Sequence, residues 1–131
     1  ACADEFIESL PEGYKTVIGE NACKISEGQR QRISIARAVI RKPSILILDE
    51  GLSSVDAETE NKIINHIKEF LKDSTVIIVS HRLSTMQKVD LIYFFTSPEK
   101  IDTGTFEGLV RNNVEFQHYL NLQEKEVKSE K

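Results

Sequence analysis

The runs Ser44-Ile45-Leu46-Ile47-Leu48 and Thr75-Val76-Ile77-Ile78-Val79-Ser80 constrain the fold of this chain more than any other feature. Each is short for a helix and carries no polar residue within its apolar part, the pattern of a parallel strand buried on both faces. Between them, Asp56 is placed to cap a helix running to about Lys72, with Ile63, Ile64, Ile67, Phe70 and Leu71 at helical spacing. Strand, helix, strand in that order is a βαβ unit, whose strands are parallel and whose crossover is right-handed in nearly all cases. The expected fold class is therefore α/β. Parallel strands end at the same sheet edge, so Asp49, Glu50 and His81 are expected together where open α/β sheets bind ligands.

The flanking segments read as follows. Ala3 to Leu10 has the spacing of a short helix, ended by Pro11-Glu12-Gly13, and Lys15 to Gly19 reads as extended. Ser26 precedes Gln29 by three residues, a capping-box pattern opening a helix to Lys42, with Ile33, Ala36 and Ile40 on its apolar face and Pro43 as its stop. Leu91 to Phe95 reads as a third strand, Thr96-Ser97-Pro98 as a turn and Lys100 to Asp102 as a short returning strand. The remainder is helical, with Phe116, Tyr119 and Leu120 as a packing face, and Glu124 to Lys131 is a mixed-charge tail expected to fray. Met86, Phe94, Phe95 and Phe116 are at core-like positions.

Composition excludes several classes. With 131 residues, 40% apolar and 29% charged, the chain has the size and balance of one soluble globular domain, and no apolar run approaches the ~20 residues that cross a bilayer. A net charge of −4 argues against nucleic acid as partner, since backbone phosphates are bound by an excess of Lys and Arg. Arg30, Arg37 and Arg41 share a helix face, and in this acidic chain they read as solvated or ion-paired. Cys2 and Cys23 lack any metal-ligand spacing and read as free thiols in a reducing compartment. The start at Ala1-Cys2-Ala3-Asp4, without Met, is what a piece of a longer polypeptide or a processed chain would show.

Three local features carry chemistry. Ser26 offers a hydroxyl and Gly28 an uncrowded backbone N–H at the positive end of a helix, where an anionic phosphate could dock; an ordinary capped helix explains the same residues. Asp49 could hold Mg²⁺ and Glu50 could orient and deprotonate water, against the alternative of two solvated acids opening a loop. His81 could donate to a phosphate or sit as a surface histidine.

Order and spacing together decide between these readings. Ile25-Ser26-Glu27-Gly28-Gln29 resembles the signature sequence of ATP-binding cassette (ABC) ATPases, Ile45 to Glu50 the Walker B strand with its catalytic Glu, Ser53-Ser54-Val55-Asp56 the D-loop and Ser80-His81-Arg82 the switch-histidine loop. Thr16-Val17-Ile18-Gly19-Glu20 looks like the segment before the signature in exporter-type cassettes, and Asp102-Thr103-Gly104-Thr105 like the strand and turn after the switch histidine. The resemblance covers nearly the whole chain apart from its tail. It implies ATP and Mg²⁺, with Asp49 as metal ligand, Glu50 as general base and His81 at the γ-phosphate. Ser26, Gly28 and Gln29 would reach ATP held by a second nucleotide-binding domain, and Asp56 would link the two sites. Glu27 departs from the pattern, standing where Gly is usual; pointing to solvent it costs little, pointing inward it would weaken binding. Gly51-Leu52 replaces the usual small pair.

A complete cassette also needs a G-x-x-x-x-G-K-[ST] loop, and no Gly-Lys dipeptide occurs here. The aromatic adenine platform and the Gln loop, N-terminal to the signature in this family, are absent as well. The resemblance is thus to the C-terminal portion of an exporter-type nucleotide-binding domain: a partial P-loop NTPase fold with a parallel βαβ core lacking the P-loop strand, followed by a C-terminal β-hairpin and helices. Residues 1–123 would form this part, with signature helix 26–42, Walker B strand 44–50 and switch-histidine strand 75–81, and residues 124–131 the charged tail. It implies a place on the cytoplasmic face of the membrane and transmembrane domains as partners. It also implies a vacant strand slot between Thr75–Ser80 and Leu91–Phe95, so that the isolated chain self-associates, swaps a strand or rearranges to close the gap, and, with the Walker A half missing, an inactive isolated chain. Alternatives are a soluble ABC ATPase acting on DNA or ribosomes, disfavoured by charge and by the exporter-like segment, and a non-catalytic dimerisation remnant.

Overall fold

Strand and helix order follows the sequence pattern closely in a computed structural model, which describes residues 1–19 and 23–129, with side chains described as far as Gln123. Glu20, the last residue of the exporter-like stretch, and the tail residues Glu130 and Lys131 lie outside the described residues. The chain divides into two compact units, Ala1–Ser80 and His81–Lys131.

In the first unit, α1 (Asp4–Glu8) and a 3-10 turn at Gly13–Lys15 precede α2 (Glu27–Val39), β1 (Ile45–Asp49), α3 (Ala57–Phe70) and β2 (Thr75–Val79). The stretch expected to be extended from Lys15 thus begins in the 3-10 turn, and among the described residues Ile18 makes a bridge, to Cys23. β1 and β2 are parallel, with Leu46 opposite Val76 and Leu48 opposite Ile78. Leu46 and Leu48 point into a core built with Ile35 of α2, Ile63, Ile64 and Ile67 of α3, and Leu52, Val55 and Leu71.

The expectation that these strands are buried on both faces is corrected by the alternation along them. Ile45 is 61%, Ile47 62%, Ile77 46% and Val79 51% exposed. The physical reason is layering: the helices bury one face of the two-stranded sheet, and the opposite parity meets no covering element among the described residues of this unit. The inward face of α2 also differs from the one read in the sequence. Ile35 is its buried residue, backed by Ala38 and Val39, while Ile40 is 75% exposed. Apolar residues surround this helix on several sides, so spacing alone did not choose the face.

The second unit holds α4 (Leu83–Met86), β3 (Ile92–Ser97), β4 (Lys100–Gly104), α5 (Phe106–Asn112) and α6 (Val114–Ser129). β3 and β4 form an antiparallel hairpin with a register shift between Phe95 and Ser97. Thr96 and Ser97 therefore extend the strand where a turn was expected. Phe116, fully buried, meets Phe94 edge-on at 5.1 Å between ring centroids and packs with Ile92 and Leu109. Phe95, expected in the core, is 64% exposed because its neighbour Phe94 takes the inward side of the strand. The helical backbone of α6 continues past Gln123, where the tail was expected to begin.

Candidate functional site

The N-terminus of α2 is closed by its own sequence. Ser26 has extended backbone, its Oγ accepts the Gln29 N–H at 3.2 Å, and Gln29 Oε1 accepts the Ser26 N–H at 2.8 Å, a reciprocal pair that satisfies two otherwise unpaired amides. The Ser26 hydroxyl proton and the Gln29 Nε2 are the donors this box does not use. Glu27, the residue in doubt, turns to solvent: its side chain is 59% exposed and pairs with Arg30 at 2.7 Å.

Gly28 is required for a reason the sequence did not disclose. A Cβ built on it would lie 2.6 Å from the backbone oxygen of Ser54, closer than carbon and oxygen can approach. The first turn of α2 therefore rests directly on the loop that joins β1 to α3. Beside it, Gln31 clasps the same loop with both ends of its amide: Nε2 donates to Ser53 Oγ at 3.0 Å and Oε1 accepts the Ser54 N–H at 3.1 Å. Sequence reasoning missed Gln31. The available signal was its i,i+3 spacing from Gly28, which puts the two on one helix face.

At the end of β1 the two acids diverge. Asp49 is still in the strand, opposite Val79, and exposed. Glu50 has φ +47°, a left-handed conformation that non-glycine residues hold only where the surroundings impose it. Its N–H donates to the Val79 carbonyl at 3.1 Å, and its own carbonyl accepts the Ser53 N–H at 3.0 Å, so the chain turns sharply there. Leu52 and Val55, both buried, anchor the turn. Its exit is Asp56, whose Oδ1 accepts the Thr59 N–H at 2.9 Å as the N-cap of α3; these hydrogen bonds favour the ionised form and hold the carboxyl below its ordinary value.

The first unit thus brings Ser26, Gly28, Gln29 and Asp56 onto two helix starts joined through one loop, with Asp49 and Glu50 at the head of that loop. His81 begins the second unit, where its side chain is exposed and its carbonyl accepts the Tyr119 hydroxyl at 3.0 Å. No group of three or more His, Cys, Asp or Glu side chains that could hold a metal occurs among the described residues. A lone exposed carboxylate at a strand end fits Mg²⁺ in its usual form, held by one or two carboxylates with substrate phosphates and water. A cleft of about 520 Å³ lined by Ala36, Val39, Ile40, His66, Ile67 and Phe70 lies at the opposite end of α2 from Ser26 and contains none of these residues.

Comparison with known proteins adds sequence relationships to this geometry. Residues 2–53 match the family model described as ABC transporter. The chain is 48% identical, over 93% of its length, to the ABC transporter BEA3 of Gibberella fujikuroi, covering 9% of that protein. It is 44% identical, over 94% of its length, to an ATP-dependent lipid A-core flippase of Haemophilus influenzae, covering 21% of it. With the ABC multidrug transporter atrD of Emericella nidulans it shares 42% identity over 94% of its length and 10% of the relative. The chain spans about a tenth to a fifth of these curated relatives. Among the described residues no helix is long and apolar enough to cross a membrane.

Proposed function

As a member of the ABC transporter family, the chain carries, we propose, the signature, Walker B, D-loop and switch-histidine part of an exporter's ATP-hydrolysing domain. The complete protein would hold transmembrane domains, work as a pair of nucleotide-binding domains at the cytoplasmic face, and couple ATP hydrolysis to export. In this reading Ser26, the Gly28 N–H and Gln29 meet the ATP of the opposing domain. Asp49, Glu50 and His81 act on the nucleotide of their own domain. Glu50 orients a water and accepts its proton as the water oxygen bonds to the γ-phosphorus. The bond from that phosphorus to the β–γ bridging oxygen breaks, leaving ADP and phosphate, and His81 contacts the transferred group. Asp49 would hold Mg²⁺, which when bound offsets the phosphate charge. Asp56, fixed as a helix cap, keeps the loop facing the second site.

The observation that carries this reading is the divergence at the end of β1: one carboxylate in strand conformation and the next in a left-handed turn at φ +47°. Adjacent acids on such different backbone conformations suit one group that holds a cation and another that faces water. The exposed apolar face of β1 and β2 supports a further layer packed against it in the complete domain. The test is Glu50→Gln in a transporter that includes this chain. Hydrolysis is expected to be lost while ATP still drives association of the nucleotide-binding domains, and unchanged turnover would remove Glu50 from the base role. This chain alone, with no Gly-Lys of a phosphate loop, neither binds Mg-ATP tightly nor hydrolyses it. Micromolar affinity on titration with labelled ATP would contradict that.

A further inference from the structure

We propose that Gln31 is a positioning residue that fastens the Ser53–Val55 loop to the first turns of α2, so that the nucleotide-facing start of that helix and the turn leaving Glu50 act as one body. Both arms of the Gln31 amide are committed across the chain, to Ser53 Oγ at 3.0 Å and to the Ser54 N–H at 3.1 Å. The connection continues through the loop backbone: the Ser53 N–H donates to the Glu50 carbonyl at 3.0 Å, and the Val55 N–H to the Leu52 carbonyl at 3.1 Å. On the helix side, Gly28 allows the Ser54 carbonyl to lie where any side chain would collide with it. Buried Leu52 and Val55 hold the loop from below.

The arrangement joins the two groups whose relation matters for turnover. Ser26, the N-cap of that helix, and Gln29 precede Gln31 by five and two residues, and Glu50 stands three residues before Ser53. A left-handed residue keeps its conformation only while its neighbours over-determine it, and the Ser53 amide is one of two backbone partners holding Glu50. Releasing Gln31 frees Ser53 and Ser54 to shift, and the Glu50 carboxylate shifts with the turn. Nucleotide contact at Ser26 is then no longer transmitted to the base by a rigid link. The inference rests on the roles proposed above for Glu50 and Ser26; the clasp itself is a structural observation that can be tested without them.

The test uses Gln31→Ala, Gln31→Glu and Ser53→Ala in a transporter that includes this chain, together with hydrogen exchange at the Ser54 amide in the 131-residue chain. Gln31→Ala is expected to lower kcat by roughly tenfold with KM for ATP changed less than about twofold, since misplacement without loss of a substrate contact falls on the chemical step. Gln31→Glu retains an oxygen for the Ser54 N–H and can accept the Ser53 hydroxyl proton, so kcat should return to within about threefold of wild type. Ser53→Ala, which removes one arm, should fall between them. Exchange at Ser54 should accelerate about tenfold in Gln31→Ala and stay slow in Gln31→Glu. An active wild type with kcat unchanged in Gln31→Ala, equal losses in the Ala and Glu variants, or a loss confined to KM would each overturn the proposal. A wild-type transporter without ATPase activity would instead refute the function proposed above, and the Ser54 exchange rates would still decide whether the clasp exists.

Discussion

Replacing Gly28 by Ala is expected to destabilise the chain, although Ala is the better helix former. The new Cβ would lie 2.6 Å from the Ser54 oxygen, 3.4 Å from its carbonyl carbon and 3.9 Å from Val55 Cγ2. Ordinary carbon–oxygen contacts between backbones are about 3.3 Å or longer, so something must move by roughly 0.7 Å. The obstructing atom is backbone, its own N–H is held by Gln31, and the next residue, Val55, is only 4% exposed. Overpacking of this kind costs about 1–3 kcal/mol, and the helix propensity gained by Ala returns up to about 1 kcal/mol. The net loss is then about 1 kcal/mol, or roughly 3–5 °C in Tm for a chain of this size. Gly108→Ala is the control. Near the start of α5 its Cβ would meet only the Thr105 hydroxyl, at 3.1 Å; that oxygen accepts the Gly108 N–H at 3.1 Å as the N-cap, and a shift of a few tenths of an ångström leaves this hydrogen bond within reach. That variant should be neutral or slightly stabilising. Equilibrium urea denaturation followed by far-UV circular dichroism, with a thermal melt alongside, measures both. A Gly28→Ala chain as stable as the Gly108→Ala chain would refute the claim that α2 rests on the Ser54 carbonyl.

Other outcomes follow from the same geometry. The Asp56 carboxylate caps α3 with its ionisation favoured by the Thr59 amide, so its contribution is complete above the unfolded carboxyl's ordinary value of 3.8 and is lost as pH falls through the lower folded value. Asp56→Asn keeps a cap oxygen, so neutral-pH stability should hardly change while the acid limb flattens; an unaltered acid limb in denaturation profiles would contradict this. Phe116→Ala removes a fully buried ring from the second unit and should cost about 3–5 kcal/mol by urea titration, whereas Val114→Ala, at a position 77% exposed, should stay within about 0.5 kcal/mol. The uncovered sheet face should make the isolated chain self-associate, and Ile47→Lys, at a residue 62% exposed, should shift sedimentation toward monomer. A wild-type chain that sediments as a clean monomer would oppose that reading.

The elements whose signals are local were legible in advance. Ser26 and Gln29 close a capping box over one turn, Asp56 caps α3 through Thr59, and β1 pairs in parallel with β2 across the helix between them. Motif order was equally readable, because Asp49-Glu50 and Ser53 to Asp56 nearly adjoin in the chain and His81 closely follows the next strand. Faces were less legible. All-apolar β1 reads the same whether one side or both are covered, and α2 has apolar residues on more than one side, so Ile35 could not be preferred to Ile33 or Ile40. Thr96 and Ser97 look like turn residues, yet pairing of Ser97 with Lys100 keeps them in the hairpin.

By itself, then, the sequence determined where α2 and α3 start, that β1 and β2 run parallel, and the order of the motifs that resemble those of ABC ATPases, since caps and side-chain periodicity are set by near neighbours and a βαβ order fixes strand direction. Tertiary structure alone decided that Gly28 lies against the Ser54 carbonyl, that Gln31 holds the loop beyond Glu50, that Glu27 faces solvent and that one face of the sheet stands open. Most of these are contacts or exposures fixed by how helix and loop layers pack. The separation of 22 residues between Gln31 and Ser53 leaves no periodic trace for a sequence to show.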